Sequence, residues 1–126
     1  MATHEDLRRI ASALPGAIES PDGLVFSVEI KGKLKGFVWP WAERVHPKKA
    51  RVINPDVLAV VVPGLQAKEI ILASDPSVYF TEEHYNGFPA VLVRLEAISV
   101  EDLQPLIIEA WKCKAPPAVA RAFDEG

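Results

Sequence analysis

The sequence predicts a two-layer α+β domain in which helices cover one face of an antiparallel sheet. Apolar residues recur every three or four positions in some segments and every second position in others, which distinguishes helices from strands. The predicted order is helix, hairpin, strand, helix, strand, helix, and tight turns occur only between strands that can pair antiparallel. The 126 residues contain no repeat or linker tract, so we expect one domain, residues 1–126.

The first element is a predicted helix with an N-terminal cap. Its apolar residues recur at i, i+3, i+4 and i+7: Leu7, Ile10, Ala11 and Leu14. Thr3 followed by Asp6 is typical of a capping residue with an acidic third position. Pro15 and Gly16 end the helix.

A β-hairpin follows. Residues 24–30 alternate between apolar and more polar side chains, as a half-buried strand does. Residues 31–33 form the turn, and residues 34–39 return as the second strand. Pro40 marks the end of that strand or an edge position. Residues 42–55 contain two prolines and no sustained period, so they are a predicted loop.

The next part of the chain adds two strands and a helix. Residues 57–62 are apolar on both faces, which predicts a strand in the middle of the sheet. A short helix is expected over residues 66–74, before Pro76. A polar loop at residues 82–89 then leads into an alternating strand at residues 90–96.

The last long element is a helix with two candidate starts. Its apolar face is formed by Leu103, Leu106, Ile107, Ala110 and Trp111. If Ser99 caps it, Pro105 lies inside the helix and removes one backbone hydrogen bond. If Asp102 caps it, Pro105 falls in the first turn. Pro116 and Pro117 begin a short tail.

Half of the positive charge lies in residues 31–51. This stretch has seven basic residues and one acidic residue, an excess of +6, whereas the remainder has seven basic and sixteen acidic residues, or −9. Such asymmetry indicates a polarised surface, although it is also compatible with an ordinary solvated face. The predicted nucleic-acid-binding residues are Lys31, Lys33, Lys35, Arg44, His46, Lys48, Lys49 and Arg51.

Aromatic residues in two segments suggest either a binding surface or core. Phe37, Trp39 and Trp41 recur at every second position, so an extended chain places three rings on one face. These rings are candidates for stacking bases, although aromatic residues that alternate along a strand more often pack in the core. A second hypothesis is a small-ligand or partner-protein site walled by Trp39, Trp41, His84 and Tyr85. An anionic ligand there would use Arg44 and His46 as counter-charges.

The sequence contains no motif for catalysis, a metal or a cofactor. Cys113 is the only cysteine and follows an apolar segment, so we expect no intrachain disulfide and a passive thiol. His46 and His84 lack the spacing of known metal-ligand motifs. No Gly-rich phosphate loop or nucleophile elbow is present. We therefore expect a protein that is not an enzyme, with no catalytic residue, no metal and no cofactor.

The sequence also predicts a cytoplasmic protein. No apolar run approaches the roughly 20 residues that cross a bilayer. The N-terminus lacks the basic-then-apolar pattern of a secretion signal, so we expect no membrane partner.

Several short segments, taken in their order and spacing, are specific enough to indicate a family. They are residues 10–16 (IASALPG), 37–41 (FVWPW), 43–49 (ERVHPKK), 72–76 (LASDP), 84–89 (HYNGFP), 91–95 (VLVRL), 110–111 (AW) and 115–116 (AP). Together they resemble the MmcQ/YjbR family, and the resemblance runs over residues 7–122.

The resemblance implies a compact α+β fold similar to that of secretion chaperones and frataxin-like domains. Members of the family are often described as DNA-binding proteins that use a double-wing arrangement of hairpins, and no reaction is agreed for them. On that basis Lys31, Lys33 and Lys35 belong to one wing-like hairpin. Residues 44–51 then belong to the adjoining loop. The acidic remainder departs from a dedicated DNA binder, since it repels DNA beyond the basic patch.

Overall fold

A six-stranded antiparallel sheet is the centre of the fold in the computed structural model, which describes residues 1–126. In chain order the elements are α1 (His4–Ser12), β1 (Ile18–Glu19), β2 (Phe26–Ile30), β3 (Lys33–Glu43), β4 (Val52–Val61), α2 (Leu65–Ser74), β5 (Tyr79–Phe80), a 3-10 turn (Glu83–Tyr85), β6 (Ala90–Arg94), α3 (Val100–Lys114) and α4 (Pro117–Glu125). The strand order is β1-β2-β3-β4-β6-β5, and every neighbouring pair is antiparallel. The predicted α+β class is confirmed. None of the helices has the length and apolar composition that crossing a bilayer requires.

The first helix begins where the capping residues predict. The backbone N–H of Asp6 donates to Thr3 Oγ1 at 3.2 Å, and the backbone N–H of Thr3 donates to Asp6 Oδ2 at 2.9 Å. This reciprocal pair satisfies two amide groups that have no partner inside the helix. Leu7, Ile10 and Ala11 are buried, and α1 packs on α3.

Ser99 caps α3, so Pro105 lies inside the helix. The backbone N–H of Asp102 donates to Ser99 Oγ at 3.1 Å. Pro105 cannot donate to the carbonyl of Glu101, but it is exposed, and a carbonyl on the solvent side can accept from water instead. The helix therefore continues through the proline, with Leu103 and Ile107 fully buried on the face that meets the sheet.

The two faces of the sheet are covered in different ways. Val38 lies opposite Val60 and Trp39 opposite Ala59, and residues opposite each other share a face. Val38 and Val60 belong to the main core beneath α1 and α3. Ala59 belongs to a smaller cluster on the other face, and there the cover comes mostly from aromatic side chains. β4 is therefore central and apolar on both faces, as the sequence predicts.

Three elements are not predicted by the sequence pattern: the edge strands β1 and β5, and helix α4. β1 and β5 have two residues each, too few to show a period of two. The predicted tail after Pro116 is instead helix α4, with Pro117 at a first-turn position where a missing N–H costs nothing. The ring of Phe123 in α4 lies 5.1 Å from that of Trp111, between centroids, so α4 packs on α3.

The β3–β4 hairpin is longer than predicted, because the loop predicted at residues 42–55 is partly wrong. β3 continues to Glu43 and β4 already begins at Val52. Pro40 does not end the strand but lies opposite Leu58, and the register of the pair shifts directly after it. An irregularity in the ladder is where a strand accommodates a residue that has no N–H to donate.

Trp111 connects α3 with α4 and with the turn after α1, and replacing it by phenylalanine is expected to lower the free energy of unfolding by about 1–3 kcal/mol. Its Nε1–H donates to the carbonyl oxygen of Pro15 at 2.9 Å, so the variant leaves that acceptor without its donor while ring burial is largely kept. Urea denaturation followed by circular dichroism measures the change. Leu34→Ala, at a side chain that is 61% exposed, is the control and should shift stability by less than about 0.5 kcal/mol. Equal losses in both variants would contradict this role of Trp111.

Candidate functional site

The predicted nucleic-acid-binding residues are divided between the two ends of β3. Lys31 and Lys33 lie at the β2–β3 turn, whereas residues 44–51 form the β3–β4 loop, here called the basic loop. β3 has 11 residues, and a strand rises about 3.3 Å per residue, so roughly 30 Å separates the two groups. The sequence leaves open whether these residues share one face, and the structure divides them into two groups.

The β2–β3 turn is tight and basic. Only Lys31 and Gly32 connect the strands, with φ of 52° and 81°. Two consecutive residues at positive φ are typical of two-residue hairpin turns, whose twist matches that of the two strands they join. Lys31, Lys33 and Lys35 are all exposed, so this end of β3 presents three cations to solvent.

The basic loop is closed on itself by its own hydrogen bonds. Arg44 Nη1 donates to the carbonyl oxygens of Lys49, at 3.0 Å, and Pro47, at 3.4 Å. His46 Nδ1 accepts from the backbone N–H of Lys48 at 3.2 Å. His46, Lys48 and Lys49 are exposed, so the arginine organises the loop while the lysines face solvent. His46 therefore caps the loop and does not line the cavity where it was expected as a counter-charge.

Cations of residues 31–51 are left largely unneutralised. Arg51 alone among them forms an ion pair, with 3.7 Å between its Nη1 and Glu82 Oε1. Outside this stretch, by contrast, ion pairs to carboxylates engage Arg8, Arg9 and Lys112. The positive potential of the basic loop is therefore available to a partner.

An aromatic cavity lies on the face of the sheet that Trp39 and Ala59 share. It has a volume of about 210 Å³ and is lined by Trp39, His84, Tyr85 and Phe88. Trp39 Nε1 donates to the hydroxyl oxygen of Tyr85 at 3.2 Å, which ties β3 to the segment after β5. The structure thus brings together three of the four predicted pocket residues. Phe88 is 44% exposed and was missed, because a phenylalanine after Asn-Gly in a loop has no pattern of its own.

Phe37 and Trp41 do not join Trp39 in this cavity, so the three rings do not form a platform for stacking bases, which was the less favoured of the two alternatives. The ring of Trp41 packs edge-to-face on that of Phe80, with centroids 5.5 Å apart. Phe37 is fully buried in the main core. The register of β2 against β3 shifts between Phe26 and Ser27, and this irregularity turns Phe37 away from the face of Trp39.

A second, polar cavity adjoins the aromatic one. It measures about 590 Å³, and its lining side chains are all charged or imidazole: Arg44, Arg51, Glu82, Glu83 and His84. His84 lines both cavities. Arg51 Nη1 also donates to the carbonyl oxygen of Ala42 at 2.7 Å, so it bridges the end of β3 to Glu82. The two cavities, which meet at His84, are here together called the root cleft.

Three buried polar atoms near the root cleft have no hydrogen-bond partner. They are Trp41 Nε1, Thr81 Oγ1 and Glu82 Oε1. The other carboxylate oxygen of Glu82 accepts from the backbone N–H of His84 at 3.2 Å, which caps the 3-10 turn. Buried polar atoms are nearly always paired in proteins, so three orphans in one region mark unused hydrogen-bonding capacity.

A buried lysine holds the loop that carries the aromatic cavity. Lys68 in α2 is 5% exposed, and its Nζ donates to the carbonyl oxygens of Tyr85, at 2.5 Å, and Phe88, at 2.9 Å. No carboxylate pairs with it, and burial lowers the pKa of Lys68 below the ordinary lysine value. Sequence reasoning missed this residue because a lysine on a short helix is ordinarily exposed.

The structure shows neither a cluster of metal ligands nor an activated thiol. No group of three or more His, Cys, Asp or Glu side chains is placed to hold a metal ion. Cys113 lies near the end of α3, far along the chain from the root cleft, and burial raises the pKa of its thiol. A raised pKa disfavours the reactive thiolate at neutral pH.

Comparisons with known proteins identify relatives and one structural neighbour. No family model matches the sequence. The chain is 37% identical over 127 residues to the uncharacterised proteins Rv2570 and MT2646 of Mycobacterium tuberculosis and Mb2600 of Mycobacterium bovis, with 98% of this chain and 96% of each relative covered. A crystal structure of Deinococcus radiodurans protein DR2400, with a DUF419 domain, superposes with a TM-score of 0.68. That match covers 98% of this chain and 89% of the other at 21% identity, which shows a shared fold.

Lys68→Met is expected to lower the free energy of unfolding by about 1–3 kcal/mol, because the carbonyls of Tyr85 and Phe88 lose their donor. Hydrogen exchange should also show faster opening of residues 84–89 than of α3. Lys114→Met, on α3 and without an ion pair, is the matched control and should leave both measurements unchanged. A variant as stable as the wild type would show that Lys68 does not hold the loop.

The contribution of Lys68 to stability is also expected to depend on pH. Its pKa is lower in the folded than in the unfolded chain, so between the two values the unfolded chain binds more protons. The free energy of unfolding therefore gains a contribution from Lys68 that rises with pH in this interval. The stability difference between wild type and Lys68→Met should grow from neutral pH toward about pH 10, as measured by thermal unfolding. A difference that stays constant or shrinks over this range would contradict the lowered pKa.

Proposed function

We propose that this chain, which belongs to the same protein family as Rv2570 of Mycobacterium tuberculosis, is a non-enzymatic DNA-binding protein of the MmcQ/YjbR type. The proposal places its phosphate contacts on the basic loop, residues 44–51. The observation that carries it is the exposure of Lys48 and Lys49 at the tip of a long hairpin, without a carboxylate partner. The segments that resemble MmcQ/YjbR proteins, together with the shared α+β fold, support the family type.

The basic loop is favoured over the β2–β3 turn because it lies next to a cavity. Lysine and arginine side chains that are exposed and unpaired release counterions from a nucleic-acid backbone when they bind it. Both ends of β3 offer such cations, and the basic loop also supplies Arg44 and Arg51 to the polar cavity, which shares His84 with the aromatic one. Aromatic side chains are the usual surface on which unpaired bases stack. Lys31, Lys33 and Lys35 then serve as a weaker, purely electrostatic contact.

The acidic remainder of the chain limits the size of this contact. Outside residues 31–51 the charge is −9, so phosphates that approach other surfaces are repelled. Binding is therefore expected to be local, tolerant of sequence and sensitive to salt.

A second candidate function is the binding of a small ligand in the root cleft. The observation that favours it is the shared lining of the aromatic and polar cavities by His84. Arg44 and Arg51 supply the counter-charges for an anionic group there.

Reversing two charges on the basic loop tests the DNA-binding proposal. If four cations meet phosphates, the logarithm of the binding constant should fall with the logarithm of salt concentration with a slope of about −3.6. Lys48→Glu/Lys49→Glu should bring the slope toward about −1.8 and weaken binding at every salt concentration. Fluorescence anisotropy with labelled duplex and single-stranded DNA measures both quantities.

The matched control changes the same charge elsewhere. Lys114→Glu/Arg121→Glu replaces two unpaired basic residues near the C-terminus, in α3 and α4, and should leave the slope unchanged. Wild-type protein that shows no binding at low salt would rule out the proposal. The same conclusion follows if the Lys48→Glu/Lys49→Glu variant retains wild-type affinity.

A further inference from the structure

The aromatic cavity has the size and lining of a site for a single flat ring system. At about 210 Å³ it is smaller than the roughly 300–1,000 Å³ of sites for drug-sized ligands. Its walls are Trp39, Tyr85, Phe88 and the imidazole of His84. The ring of Phe88 stands 6.4 Å from that of Trp39 and 6.0 Å from that of Tyr85, in each case edge-to-face. Because Phe88 is 44% exposed, part of its surface is accessible to an incoming aromatic group.

The polar half of the root cleft is complementary to a ligand that carries both an anionic group and hydrogen-bond donors. Two guanidinium groups line it, from Arg44 and Arg51, and these suit a phosphate. Two carboxylates also line it, from Glu82 and Glu83. Carboxylates repel a phosphate, so a site that binds phosphate alone would not contain them. A sugar hydroxyl or an exocyclic amino group satisfies a carboxylate, so the mixed lining matches a ligand with both kinds of group.

One unused hydrogen-bonding atom belongs to a residue that lines the root cleft. Glu82 Oε1 is a buried acceptor without a hydrogen bond, and its cationic neighbour, Arg51 Nη1, is 3.7 Å away. A ligand that brings a hydrogen-bond donor would pair an atom that the protein itself leaves unpaired.

The cleft is also held in shape without any ligand. Lys68 fixes the carbonyls of Tyr85 and Phe88, and the hydroxyl of Tyr85 holds the indole of Trp39. Arg51 joins the end of β3 to Glu82. Walls held by such bonds lose little freedom on binding, which favours affinity for a small ligand.

We propose that the root cleft binds one nucleotide unit, with its base in the cavity of Trp39, Tyr85 and Phe88 and its phosphate against Arg44 and Arg51. The same chemistry is offered by a free nucleoside monophosphate and by an unpaired nucleotide in a strand. In the second case the inference rests on the proposed function, with the basic loop contacting the neighbouring phosphates. A base-paired nucleotide has no free face to stack, so this cleft favours single-stranded over duplex DNA.

The experiment uses the full chain with two probes. Deoxyadenosine monophosphate is titrated by isothermal calorimetry, beside deoxyadenosine, inorganic phosphate and tryptophan. A single-stranded oligonucleotide with one 2-aminopurine is titrated by fluorescence, which is quenched when that base stacks, and a labelled duplex is followed by anisotropy. Phe88→Leu, at a half-exposed ring, removes the stacking face with little risk to folding.

The wild type is expected to bind the monophosphate more tightly than the nucleoside or phosphate alone and to quench 2-aminopurine. Phe88→Leu should weaken monophosphate binding about tenfold and abolish quenching, while duplex affinity is unchanged. Lys48→Glu/Lys49→Glu should lose strand binding but keep the monophosphate, because neither lysine lines the cleft.

The outcomes separate this inference from the proposed function. DNA binding with no monophosphate binding and no quenching would overturn the nucleotide site and leave DNA binding intact. Monophosphate binding without strand binding would support the cleft as a site for a free nucleotide and reject DNA binding. Tryptophan binding more tightly than the monophosphate would overturn the inference in favour of an aromatic amino acid.

Discussion

Antiparallel pairing of β3 with β4 determines where the core and the candidate site lie. Val38 and Val60 share the face beneath the helices, and Trp39 and Ala59 share the opposite face. A slip of one residue would exchange the two sets, so burial of the valines under α3 fixes the register. The small side chain of Ala59 leaves room for the indole beside it. The root cleft is therefore a consequence of the same pairing that makes the main core.

Two basic residues have structural roles around the candidate site. Lys68 supplies hydrogen bonds to the backbone of residues 85 and 88, and Arg51 connects the end of β3 to Glu82. A buried ammonium without a carboxylate is costly, and here two carbonyl acceptors offset part of that cost. The loop that carries Tyr85 is thereby ordered, while Lys48 and Lys49 remain exposed and unpaired.

The proposed contacts with a nucleic acid are of two kinds that respond differently to salt. Phosphate contacts of the proposed kind on the basic loop depend on counterion release and weaken as salt increases. Stacking in the aromatic cavity does not depend on charge, and it requires a base with a free face. Because the chain carries a charge of −9 outside residues 31–51, its net electrostatic attraction for a nucleic acid is small. A short-range aromatic contact is the kind of interaction that adds affinity and selectivity under those conditions.

Local patterns predict most of the helices and strands of this chain, because they depend on neighbours a few residues apart. Three such patterns each span only a few residues. They are the Thr3–Asp6 cap of α1, the alternation of residues 24–30 and the segment 57–62, which is apolar on both faces. The resemblance to the MmcQ/YjbR family adds an α+β fold of the same layout, and the structure confirms the α+β class. Trp39, His84 and Tyr85 also come together as the sequence suggests.

The tertiary structure alone decides how those segments are combined into a site. The register shift beside Phe26 sends Phe37 to the core and separates it from Trp39, and the length of β3 places Lys33 far from Lys48. Lys68 reaches acceptors 17 and 20 residues away in the chain. Periodicity and capping describe contacts within one element, whereas ladder irregularities and buried polar contacts depend on which distant segments meet. For this protein the sequence therefore determines the elements and the charge they carry, and only packing decides which charges and rings share a cleft.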